Sequence, residues 1–288
     1  MGLTANTNIS SIAAARAVYE SRDDLTRAME RLSSGKRINS AADDAAGMAV
    51  AAKMRADIGS LNQSVRNTND AISLVNTYDG AAAEIESILI RMRELAVQSK
   101  NGTYETADRT NANFEYTALK NEITRIAGVS AFNRMTVGQG SSGAAGGTGV
   151  ADTTFTFYVG SDVAKTGNSI AFAAKALDLN LAVSSGTLNS VVDTASAGQA
   201  IATLDDAITE LAANRAQAGA LINRLEHTVS NLMNVSQRLQ EAVSGIEDAD
   251  YAAESANLAR GMVLAQAGTA MLAQANQAPQ YILSLLRG

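Results

Sequence analysis

Apolar residues along this chain fall at intervals of three and four. From Ile201 that step lands on Leu204, Ile208, Leu211, Arg215, Ala218, Ile222, Leu225, Val229, Leu232, Ser236, Leu239, Val243 and Ile246, and eleven of the fourteen positions are large aliphatics. A 3.5-residue apolar repeat of this length, free of proline, predicts a long helix whose seam lies along another helix. At 1.5 Å per residue it would extend about 70 Å, too far for one compact core. Helices of similar length must therefore accompany it.

The rest of the chain supplies them. Val18, Leu25 and Leu32 stand seven apart, with Ile12, Tyr19 and Met29 beside them, which predicts a helix from Ile9 to Leu32 ended by Ser33, Ser34 and a left-handed Gly35. Ser40 with Asp43 reads as the capping box of a second helix. Its stripe runs Met54, Ile58, Leu61, Val65, Thr68, Ile72, Val75, then changes register to Tyr78, Ala81, Ile85, Ile88, Met92, Leu95, and Asn101-Gly102 ends it. A register change predicts a change of partner. Ala112, Tyr116, Leu119, Ile123 and Ile126 give a third helix.

Period two appears only in the middle. Residues 138–149 are nearly all Gly, Ser and Ala and read as a flexible surface loop or a deletion scar. Phe155, Phe157 and Val159, a turn over Gly160–Asn168, then Ile170 and Phe172 predict a β-hairpin, with a weaker strand at Leu177, Leu179, Leu181 and Val183. The long helix starts near Ala197. After the acidic break at Glu247, Asp248 and Asp250 the repeat resumes as Leu258, Met262, Ala265, Thr269, Leu272, Asn276, and Pro279 is expected to end it. The fold class is mainly α: a long antiparallel coiled-coil or helix-bundle rod with a small central β-hairpin region and paired terminal helices. Lys36 and Arg37 at one break are expected beside Glu247, Asp248 and Asp250 at the other, as inter-domain charge pairs.

Composition narrows the function. Tryptophan and cysteine are absent, His227 and Pro279 are the sole members of their kinds, and aromatics are 4% of 288 residues. Such usage suits narrow helix bundles rather than an enzyme core. The net charge of -6 gives no basic footprint for nucleic acid. One histidine, with no nucleotide-binding or hydrolase motif, excludes the common catalytic constellations, and His227 reads as a packing or solvent-edge residue of the coil. The acids around Asp248 lack the ligand spacing of a calcium loop. No enzymatic activity, cofactor or metal is expected. The start of the chain lacks an apolar signal core, and the C-terminal stretch from Met262 carries too many amides for a membrane span, so no membrane insertion is expected. Two terminal helices rich in Ala and Gln would bury little area against each other; copies of the chain are the natural partner, and a non-closing contact of that kind builds a helical filament.

Several long runs, in order, resemble bacterial flagellin: LSSGKRINSAADDAAGMAVA (Leu32–Ala51), NTNDAISLV (Asn67–Val75), RMRELAVQSKNGT (Arg91–Thr103), NRLEHTVSNL (Asn223–Leu232), IEDADYAAES and AQAGTAMLAQAN. The likeness covers about the first 135 and last 90 residues. It implies a filament-core domain from 1–40 and 247–288, a rod domain from 41–137 and 150–246, and the 138–149 loop in place of large variable outer domains. It further implies a secreted, extracellular subunit that polymerises with itself. Export would use the flagellar type III apparatus, with a chaperone at the C-terminal helix, and assembly would meet filament cap and hook-junction proteins. A hook-filament junction protein and a secreted coiled-coil adhesin are the alternatives. In flagellins sensed by a Toll-like receptor the contact lies on an RxRELAVQ-like motif and the next helix; Arg91, Arg93, Glu94, Leu95, Val97 and Gln98 match it, with Glu115 at the corresponding later place and Ile90 departing from the usual Gln.

Overall fold

The computed structural model describes residues 8–138, 153–160, 167–177 and 190–287, those from 278 onward as backbone only. Five helices occupy most of them: α1 (Ile9–Ser34), α2 (Ala45–Lys100), α3 (Thr106–Val129), α4 (Thr194–Glu247) and α5 (Tyr251–Arg287). Among the described residues four short strands make two antiparallel pairs, β1 (Ala131–Phe132) with β2 (Met135–Thr136), and β3 (Thr153–Tyr158) with β4 (Ser169–Ala174). The mainly α class and the central hairpin are as the periodicity predicts. The chain divides into two compact units, Met1–Ile58 with Gln237–Gly288, and Gly59–Ser236.

In the first unit α1 and α5 pair antiparallel. Asn8 caps α1 by accepting from the Ser11 N–H at 3.1 Å. Gly35 ends the helix at φ 70°, its N–H returning to Arg31 O at 2.9 Å, as a left-handed glycine should. The expected Ser40 box is displaced. Asp43 does gather the N–H of Ser40 at 2.9 Å and its hydroxyl at 3.0 Å, but this closes a turn ahead of the helix. Asp44 is the residue that caps α2, accepting from Gly47 N–H at 2.8 Å. Two adjacent aspartates divide the work that the sequence pattern assigns to one.

Two expectations for α5 are corrected. Met262 and Thr269 are exposed, and Asn276, exposed too, reaches α1 only through its amide; the buried and half-buried column is Glu254, Leu258, Gly261, Ala265, Gly268, Leu272, Ala275, one position earlier at every other step. Glycine carries no hydropathy signal, so the pattern pointed to its larger neighbours. Pro279 does not end the helix either, since α5 runs to Arg287.

The second unit centres on Val75, Tyr78, Ile85, Leu89 and Met92 of α2, Tyr116 and Ile123 of α3, and Leu204 and Leu211 of α4. Here α2 buries two columns, adding Leu74, Ala82, Leu89 and Ala96 to the predicted stripe, because α3 and α4 both press on it. The β3–β4 hairpin pairs Phe155 with Phe172 and Phe157 with Ile170. A lone hairpin is marginal in water; this one is fixed to α2, where the Tyr78 ring meets Phe172 edge-on at 5.4 Å and Tyr78 donates to Lys175 O at 3.0 Å. The β1–β2 hairpin was not foreseen. Its strands are too short to show alternation, and its turn rests on Asn133 and Arg134 at φ 48° and 66°, a left-handed pair for which only the asparagine is a sequence cue. Of the weak strand proposed after Leu177, and of the 138–149 loop, only Leu177 and Gly138 fall within the described residues; Leu177 donates to Gly138 O at 2.9 Å.

Candidate functional site

The chain ends meet side by side in the first unit. Arg31 of α1 pairs with Glu254 of α5 at 3.0 Å, Leu25 sits on Gly261, Val18 on Gly268, and Ser11 donates to Asn276 Oδ1 at 2.6 Å. Steps of six, seven and seven on α1 are answered by steps of seven, seven and eight on α5, the near-heptad spacing of an antiparallel helix pair. The seam is narrow, because glycine and alanine fill most of the α5 side. Large side chains are left outside it: Ile12 is 62% exposed and Tyr19, seven residues on, 73%; Leu264 and Met271, also seven apart, are 50% and 64%. Single exposed apolar residues are ordinary on protein surfaces. Heptad-spaced apolar residues exposed on both helices leave apolar surface outside the seam on each of them.

At the break, main chain rather than opposite charge joins the two ends. Lys36 forms an isolated antiparallel bridge with Asp248, Arg37 N–H donates to Glu247 O at 2.6 Å, and Ala249 N–H donates to Gly35 O at 3.0 Å. The predicted charges thus lie close together, while their ion pairs run elsewhere. Glu247, only 4% exposed, is paired by Arg55; Arg37 reaches Asp44 at 3.7 Å and the Ile246 carbonyl at 2.6 Å. Asp248 accepts from the Ser244 hydroxyl at 2.5 Å, and Asp250 caps α5 through the Ala252 N–H at 2.9 Å. A buried carboxylate needs a close cation, and Arg55, on α2 well beyond the break, was not marked for it by any motif.

On the second unit the motif residues separate by exposure. Arg91 donates to Glu115 at 2.9 Å and to Glu94 at 3.0 Å on an exposed face, which raises the guanidinium pKa, Glu115 contributing most. Gln98 is exposed as well. Leu95 is 3% exposed and belongs to the core. Arg93 turns to Asp205 of α4 at 2.6 Å.

Arg215, a charged residue in the apolar repeat, is a further structural centre. It lies between Asp79, at 2.9 Å, and Glu86, seven residues further along α2, and binds both. The hydrogen bonds it donates to Asp79 and then Glu86 raise its pKa. The cue was available: a cation on a seam needs acids opposite. Among the described residues no group of His, Asp or Glu could hold a metal ion, His227 is exposed, and no helix is long and apolar enough to cross a membrane.

These features define a helical structural protein whose first and last helices pair and leave apolar residues exposed outside their seam. Residues 5–142 match the bacterial flagellin N-terminal helical region and residues 201–286 the bacterial flagellin C-terminal helical region. A flagellin of Halalkalibacterium halodurans is 43% identical over 263 residues, 91% of each chain. The flagellar filament 33 kDa core protein of Treponema phagedenis is 38% identical over 283 residues, 98% of this chain and 99% of that one. The fold, at 12% identity and a TM-score of 0.59, is shared with a putative flagellar hook-associated protein from Vibrio parahaemolyticus, over 72% of this chain and all of that one. The chain belongs to the bacterial flagellin family, a family of structural proteins rather than enzymes. Relatives of similar length match it nearly end to end, and among the described residues only the two small hairpins stand between α3 and α4.

Proposed function

We propose that this chain is the subunit of a bacterial flagellar filament, joined to its copies through the paired ends. One observation carries the reading: the α1–α5 pair buries small residues inside and leaves Ile12, Tyr19, Leu264 and Met271 outside at heptad spacing. The same interval that fits one partner helix recurs on the outward faces of α1 and α5, and these are where further copies would pack. Membership of a family that includes a filament core protein supports it. The junction-protein and adhesin readings have no comparable support, since the likeness to a hook-associated protein is one of fold alone. In this reading 1–40 with 247–288 supply the filament core, 41–137 with 150–246 the rod domain, and the subunit works outside the cell after type III export, meeting the chaperone, cap and junction proteins on the way.

The exposed Arg91–Glu94–Glu115 cluster, with Gln98 beside it, supports a second role for released monomer as the ligand of a flagellin-sensing Toll-like receptor, with Leu95 holding the helix beneath. Polymerisation of purified chain on filament seeds, viewed by electron microscopy, tests the first role: filaments are expected, and only amorphous or soluble material would overturn it. A cell assay tests the second, a response to intact monomer that falls with Arg91→Ala plus Glu115→Ala being the expected result, and an undiminished response the contrary one.

A further inference from the structure

We infer that Asn8 is the positioning residue that carries α5 through Pro279, so that the last turns of the chain are helical only while the first turn of α1 is docked on them. In an α-helix the N–H of residue 279 would donate to the carbonyl of residue 275. Proline has no N–H, so Ala275 loses its helical donor, and a proline inside a helix ordinarily kinks or ends it. Yet α5 continues to Arg287. The Ala275 carbonyl receives instead the side-chain Nδ2 of Asn8, at 2.7 Å.

The other end of the same amide is engaged as well. Asn8 Oδ1 accepts from the Ser11 N–H at 3.1 Å and caps α1. Its two partners fix the orientation of the amide, since the N–H can meet only oxygen and the carbonyl only the NH2 group. One side chain therefore closes the first turn of one helix and the gap in another 267 residues away. Ser11, one turn on, donates to Asn276 Oδ1 at 2.6 Å and holds the neighbouring residue of α5 in the same register. The general taste of helix N-caps for Asn, Asp, Ser or Thr would accept any of these at position 8. The carbonyl of Ala275 needs a donor with that reach, which aspartate lacks.

This contact is internal to one chain and joins its two ends. It is tested by hydrogen exchange on the full-length chain, with the soluble and the sedimented fraction both read after seeding. Asn8→Asp keeps the cap of α1 and removes the donor; exchange over residues 276–287 is expected to rise about threefold to tenfold, the range of one net hydrogen bond, with the first turn of α1 unchanged. Pro279→Ala returns a backbone N–H to Ala275, and in that background Asn8→Asp should leave 276–287 unaffected. Equal acceleration in both backgrounds, or none with Pro279 present, would overturn the inference. So would a wild-type chain in which 276–287 is protected while α1 exchanges freely, or in which neither end is protected in either fraction. Sedimentation of the wild-type chain reports on filament formation separately.

Discussion

Gly268 lies against Val18 so closely that a Cβ on the glycine would stand 2.8 Å from Val18 Cγ2. Valine is stiff at χ1 and its methyl cannot swing aside without cost. Alanine in a helix interior normally gains about 0.5–1 kcal/mol over glycine. Here overpacking, about 1–3 kcal/mol, outweighs that gain. Gly268→Ala is therefore expected to loosen the α1–α5 pair, and Val18→Ala added to it to restore the fit. Gly245, in α4, has open space where a Cβ would go, so Gly245→Ala should stabilise. Protease susceptibility of residues 9–34, together with thermal melting, reads both; a stabilising Gly268→Ala would contradict the close seam.

Arg215 is expected to be needed for the α2–α4 pairing of the second unit. Removing it leaves Asp79 and Glu86 without their shared cation. The side chain is 33% exposed, so solvent screens the loss and Arg215→Ala should cost about 1 kcal/mol. Lysine cannot span both acids with one ammonium as the guanidinium fork does, so Arg215→Lys should recover only part. Chemical denaturation of the three chains measures this, and a lysine variant as stable as the parent would show that simple charge suffices.

The start of α4 carries a pH dependence. Asp193 accepts from Ser196 N–H at 2.7 Å and Ala195 N–H at 2.9 Å, and these bonds, that of Ser196 first, hold its pKa below the ordinary aspartate value. A depressed folded pKa stabilises fully above the unfolded value of about 3.9 and is lost as pH falls through the lower folded value. The first turn of α4 should thus stay intact at neutral and mildly acidic pH and loosen only below the usual carboxylate range. Titration of the Asp193 carboxyl by NMR checks it; a midpoint at or above the ordinary value would contradict the capping geometry.

Much of this was legible in the residues. Helix periodicity located all five helices, Gly35 announced its cap, and alternating Phe155, Phe157, Ile170 and Phe172 announced the larger hairpin, because burial of large apolar groups leaves a period in sequence. What stayed hidden was carried by residues with no such signal. Gly261 and Gly268 form the α5 seam through their small size, and Pro279 is tolerated because a side chain from the far end of the chain supplies its missing bond. Arg55 and Glu247 are joined only by folding, since nothing local in either segment points to the other. At the break, proximity of Lys36 and Arg37 to the acids could be read from chain symmetry, while the choice of ion-pair partners depended on which carboxylate became buried.

The outer stripes of the terminal helix pair decide whether the paired ends join copies of the chain. Tyr19 and Met271 are exposed, at 73% and 64%, and lie off the α1–α5 seam, so Tyr19→Glu with Met271→Glu should leave the pair itself intact. The measurement is seeded polymerisation of this double variant beside the parent chain, followed by sedimentation and electron microscopy, with helicity compared by circular dichroism. Filaments from the parent and none from an equally helical variant are the predicted result; filaments of the same yield and form from both chains would contradict it.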